Sequence, residues 1–102
     1  MSLDVRIKSM EPVLCPHCGK VAGYEEKDKI SVGGKNWYSF LEEIGYYPEE
    51  KWYCKNMSLT QEQAKKLVEY AKKYATYVAP EIKTLVSEAI FDGNDVVINA
   101  DW

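Results

Sequence analysis

This chain has little histidine, little cysteine and no net positive charge. His17 is the only histidine, and the cysteines are Cys15, Cys18 and Cys54. An odd number of thiols fits a disulfide framework poorly and fits metal ligation better. The net charge of −3 moves the expectation away from a phosphate-gripping protein and toward a protein partner. No apolar run is long enough to span a membrane. The opening Met1-Ser2-Leu3-Asp4 has no charged leader before an apolar stretch, so no signal peptide is expected, and a cytoplasmic location with reduced thiols follows. Catalytic signatures are missing too. Val32-Gly33-Gly34-Lys35 lacks the spacing of a phosphate loop and the hydroxyl after the lysine, no serine stands in a nucleophile elbow, and His17 has no nucleophile partner. A non-enzymatic protein is expected.

What is present begins with Cys15-Pro16-His17-Cys18-Gly19-Lys20. Two thiols three positions apart, with Pro after the first and Gly after the second, suit a tight turn that aims both sulfurs at one point. Zinc is the usual occupant of such a turn. Redox chemistry needs a helix after the motif, and Val21-Ala22-Gly23 does not look helical. Cys54 is the natural third ligand of a single structural zinc, and the alternative is a small buried hydrophobe. The fourth ligand is open. Asp4 reaches it if the first strand lies beside the turn, His17 is strained by its place inside the turn, and a water would make an open, catalytic-type position.

Around this turn the pattern reads as one α+β domain over residues 1–102. It comprises a small mixed or antiparallel sheet, two longer helices, one short helix and the zinc-knuckle turn. Residues 3–8 alternate, with Leu3, Val5 and Ile7 inward. Residues 21–27 can pair back as a hairpin. The charged run 25–29 reads as solvated loop or ribbon end, and 30–32 as a weak strand. Trp37, Phe40, Leu41 and Ile44 make one helical stripe over 36–45, with Asn36 as cap and Gly45 as stop. Residues 51–56 read as a strand that carries Cys54. Thr60 and Gln63 match a capping box for a helix reaching about residue 78, with Glu62–Lys66 and Glu69–Lys73 pairs outside and Ala64, Leu67, Val68, Ala71, Tyr74, Ala75 and Val78 inside. Pro80 opens a third helix over 81–91, whose apolar side includes Ile90. Gly93 stops it, and 95–102 is a closing strand.

Eight Tyr and three Trp in 102 residues also point to protein contacts, since these residues are enriched at interface hot spots. Tyr46 and Tyr47 stand beside Pro48, Glu49 and Glu50, after Glu42 and Glu43 on the outer side of the short helix. Aromatics beside carboxylates at an exposed turn can anchor in a pocket while the charges steer toward a basic surface; the alternative is that Tyr46 and Tyr47 pack on the protein's own sheet and the glutamates are only solvated. The lysines of the second helix instead raise a zinc-ribbon-like nucleic-acid-binding module or a small zinc adaptor, against the net charge.

The six residues from Cys15 to Lys20 resemble a zinc knuckle. With the opening Ser-Leu-Asp-Val, the small size and the acidity, the chain is similar to phage-encoded anti-CRISPR proteins, most of all zinc-containing inhibitors of the type II effector nuclease. That resemblance implies a phage or prophage protein that binds the effector in the host cytoplasm and blocks DNA loading or cleavage, without touching nucleic acid directly. It carries over no residues beyond the metal ligands.

Overall fold

The computed structural model describes residues 3–102. Four strands form one antiparallel sheet in the order β2-β1-β4-β3: β1 (Asp4–Leu14), β2 (Val21–Gly33), β3 (Asn56–Ser58) and β4 (Asp95–Asp101). Three helices, α1 (Trp37–Glu43), α2 (Gln61–Tyr74) and α3 (Ala79–Asp92), complete the α+β architecture. Among the described residues no helix is long and apolar enough to cross a membrane.

Alternation places Val5 and Ile7 on the face toward the helices. Val5 is flanked by Val32 and Ala100, and Ile7 by Ile30 and Ile98. All but Ile30 are buried, and they form the floor of the core. On that floor sit Trp37, Phe40 and Leu41 of α1, Ala64, Leu67 and Ala71 of α2, and Ile82, Leu85, Val86 and Ala89 of α3. Burying a side chain of this size removes about 1.5–3 kcal/mol of unfavourable hydration. The stripes read from the sequence are this core, with two exceptions: Tyr74 and Ile90 are exposed.

Several boundaries differ from the sequence pattern. β1 runs on past Lys8 to Leu14, and the charged run 25–29 is strand rather than loop, paired with Ser9, Lys8 and the residues beyond them. Glu and Lys favour strands weakly, but ladder partners override that preference. Lys8 meets Glu26 at 3.5 Å across the ladder, and Lys27 reaches Asp92 of α3 at 3.2 Å. Asp92 also raises the pKa of Lys27, first by that hydrogen bond and then by its charge.

Residues 51–56 do not make the expected strand. Glu50–Trp52 is one turn of 3-10 helix, Cys54 takes a left-handed backbone with φ 56°, and β3 begins only at Asn56. Trp52 stacks on Tyr46 at 5.9 Å between ring centroids, and the Lys55 carbonyl accepts the Tyr46 hydroxyl. The segment wraps around a ring instead of extending.

α2 stops at Tyr74, short of Val78, because Val78 is the residue before α3, whose first turn holds Pro80. A missing N–H costs nothing there. Asn36 makes no side-chain cap; its carbonyl accepts the Tyr70 hydroxyl instead. The expected i,i+4 pairs are replaced: Lys66 pairs with Glu43 at 3.1 Å and Lys72 with Glu69 at 3.4 Å.

Thr60 and Gln63 do form the capping box. The Gln63 N–H donates to Thr60 Oγ1 at 3.2 Å, and the Thr60 N–H donates to Gln63 Oε1 at 2.9 Å. Thr60→Ala removes half of it and should cost about 1 kcal/mol. In thermal unfolding that is a fall of roughly 4–8 °C in Tm. An unchanged Tm would mean that α2 is held by packing alone.

Candidate functional site

β4 covers β1 only as far as Met10, which faces Asp95. Beyond that point β1 and β2 continue alone as a two-stranded arm, Glu11 facing Glu25 and Leu14 facing Val21. The cysteine turn is the tip of this arm. The Cys15 N–H donates to the Lys20 carbonyl at 2.7 Å, and the Gly19 N–H to the Cys15 carbonyl at 2.9 Å. Gly19 has φ 71°, a conformation that a residue with a Cβ adopts only with strain.

The turn aims donors at one sulfur. The Cys18 backbone N–H, then the His17 backbone N–H and then the Cys18 thiol point to Cys15 Sγ and hold its pKa below the ordinary thiol value. A thiolate is the form that binds metal or attacks an electrophile. Two thiols at one turn are donors of the kind a soft metal ion takes.

Cys54 and Asp4 do not join them. Asp4 starts β1, and Cys15 follows its last residue, eleven residues on. At about 3.3 Å per residue the strand puts roughly 35 Å between them. Cys54 lies at the Asp4 end: its N–H donates to the Ala100 carbonyl at 2.9 Å, and its Sγ is 3.9 Å from Asp101 Oδ2. One ion cannot touch both ends of this strand. Among the described residues no group of three or more His, Cys, Asp and Glu gathers around one point, and His17 is not gathered with Cys15 and Cys18 into one. The four-ligand set Cys15, Cys18, Cys54 and Asp4 is thus not a site within one chain. The cause is local: the expected Cys54 strand is a turn docked on the far end of β4. Cys54 is also exposed, which removes the buried-hydrophobe alternative.

The acidic and aromatic loop divides. Tyr46 is not a contact residue, because it is fully buried at 0% exposure. Its hydroxyl accepts the Ala100 N–H at 2.8 Å, and burial raises its pKa. The physical reason is that Tyr46 is the plug between the 3-10 turn and β4. Tyr47 is half-buried, packed on Tyr38 at 4.7 Å and edge-on to Trp102 at 5.3 Å. Glu42, Glu43, Glu49 and Glu50 are all exposed. Glu43 is engaged by Lys66, and Glu49 by Lys51 at 3.1 Å, whereas Glu42 and Glu50 make no ion pair among the described residues.

Two residues that the sequence reading passed over complete this corner. Trp102 meets Tyr53 edge-on at 5.0 Å. Together with Glu50 they line an open pocket of about 350 Å³. A signal for Trp102 was available. It shares the parity of Val96, Ile98 and Ala100, which places its ring on the side of β4 where Tyr46 lies.

Behind the corner, on the opposite face of the sheet, Asn99 organises a polar network. Its Oδ1 accepts Arg6 Nε at 3.1 Å and Nη2 at 2.6 Å, while its Nδ2 donates to the Cys54 carbonyl at 3.1 Å and Asn56 Oδ1 at 2.9 Å. This fixes the backbone of residues 54–56 and with it the placement of Tyr53. Comparison with protein families, with curated proteins and with solved structures gives no match to this chain.

Proposed function

We propose that the chain is a non-enzymatic binding protein that receives a basic side chain of a protein partner in the corner formed by Glu50, Tyr53 and Trp102. The observation that carries this reading is the open pocket of about 350 Å³ between these three residues. Aromatic walls beside a carboxylate suit an arginine or lysine: the rings take the apolar stem and the cation, and the carboxylate pairs with the charge. The net charge of −3 and the unpaired Glu42 favour encounter with a basic surface. The resemblance to zinc-containing anti-CRISPR proteins would make the partner a type II effector nuclease. A type II effector nuclease presents basic channels that hold guide and target. On this reading the protein acts in the host cytoplasm and does not itself bind nucleic acid.

The test is binding to a type II effector carrying its guide, with wild type beside two variants. Glu42, Glu49 and Glu50 changed together to Lys should slow association and weaken binding by roughly tenfold or more while leaving Tm in place. Trp102→Ala should weaken binding by a similar factor through faster dissociation, because the anchoring ring is lost. If wild type binds and neither variant differs, the corner is not the contact. If wild type does not bind the effector but forms a salt-sensitive complex with duplex DNA, the nucleic-acid reading replaces this one.

A further inference from the structure

The tip of the β1–β2 arm offers two metal ligands where a structural zinc takes four. The other candidate ligands of the chain are not gathered there. Cys54 and Asp4 lie a strand length away, and no third His, Cys, Asp or Glu joins Cys15 and Cys18 among the described residues. We infer that Cys15 and Cys18 of two copies of this chain share one zinc ion, tip to tip, in a four-thiolate site on a two-fold axis.

Three observations besides ligand number support a second copy as the source of the missing thiolates. The first is access. Pro16, His17 and Cys18 are exposed, and the arm beyond Met10 carries no strand on its other side, so two tips can meet without the bodies colliding. The second is an uncovered apolar pair. Leu14 and Val21 face each other across the arm directly below the turn, at 59% and 51% exposure. Within one chain this pairing has no evident use; between two tips the four side chains form a small apolar collar that excludes water from the ion. The third is charge. Four thiolates around one divalent cation leave two negative charges, and Lys20 of each copy, in the same turn, supplies one positive charge. A two-fold arrangement repeats each contact, so one half-site specifies the whole.

Ligation changes no oxidation state. Each thiol gives its proton to solvent, and zinc gives up water for sulfur. The inference does not depend on the partner reading of the Glu50–Trp102 corner, which lies at the other end of β1.

The experiment is sedimentation equilibrium of the reduced full chain, titrated with zinc and then with chelator. Zinc at half an equivalent should convert the 11.7 kDa chain to a species of twice that mass, with one ion per two chains. Chelator should return it to monomer, weakening self-association by roughly a hundredfold or more. Cobalt in place of zinc reports the ligands: sulfur-to-metal absorption should reach the strength of four thiolates per ion at half an equivalent. Cys18→Ser should abolish both the dimer and that band, and Cys54→Ser should keep both. A monomer that holds one ion per chain overturns the inference. So does a chain that binds no zinc, or a dimer that survives chelator and Cys18→Ser.

Discussion

Tyr46→Ala should cost about 3–5 kcal/mol of folding stability, the range for removing a large aromatic ring from a core. The ring is fully buried and is touched from three sides: Trp52 stacks on it at 5.9 Å, Trp102 meets it edge-on at 5.9 Å, and its hydroxyl is caught between the Lys55 carbonyl and the Ala100 backbone. Residues 50–55 lie outside the sheet, and Tyr46 holds them together with the Asn99 amide and the bond from the Cys54 N–H to the Ala100 carbonyl. Removing it should therefore release the 3-10 turn as well as leave a cavity. Tyr46→Phe separates the two contributions. It keeps the packing but leaves the Ala100 N–H without its partner, at about 1–3 kcal/mol. Urea denaturation of both variants measures the difference. An alanine variant no less stable than the phenylalanine variant would show that the hydroxyl, not the ring, secures the segment.

Asn99→Ala should follow at about 2 kcal/mol, more than most single hydrogen bonds contribute, because one buried amide serves three partners. Loss of Oδ1 deprives Arg6 of its closest acceptor and leaves it Asp101 at 3.5 Å. Loss of Nδ2 leaves the Cys54 carbonyl and Asn56 Oδ1 without their donor. Asn99→Asp is the informative companion. Its carboxylate still accepts from Arg6 but cannot donate, and it brings a second negative charge near Asp101. Both variants should lose stability, and amide exchange at residues 54–56 should speed up in each. Slow exchange there in either variant would mean that β3 is fixed by its ladder alone.

The elements whose signals lie within a few residues were legible. Thr60 and Gln63 are spaced for a capping box and make one, and Gly45 and Gly93 stop helices with φ 80° and 74°. The stripe of Trp37, Phe40, Leu41 and Ile44 is buried as its spacing requires. What could not be read depends on partners distant along the chain. The run 25–29 is strand only because β1 lies beside it. Residues 51–56 fail as a strand only because Tyr46 and β4 draw them inward. The metal set failed for the same reason. Cys15 and Cys18 are close in sequence and stay close, whereas the spacing of Cys54 and Asp4 from them says nothing about which end of an eleven-residue strand they occupy. Of the two readings of Tyr46, contact residue or ring packed on the protein's own sheet, the second holds, and the sequence could not choose between them because the ring's partners, Trp52, Trp102 and Ala100, lie further along the chain.

The length of β2 carries a hazard that its composition answers. It is an outer strand of the sheet, and its thirteen residues leave a long row of backbone groups facing solvent on one side. Such a row can recruit another extended chain and begin an ordered aggregate. Over residues 25–29 every position is charged and exposed, with both signs present. A strand arriving alongside would have to strip water from five ionised side chains before gaining any hydrogen bond. The opposite border is broken up: β3 is only three residues long, and the stretch of β1 left bare beyond Met10 carries Pro12. The stretch that least resembles a strand by composition is thus what lets a strand this long stand at the edge of a sheet without stacking on its neighbours.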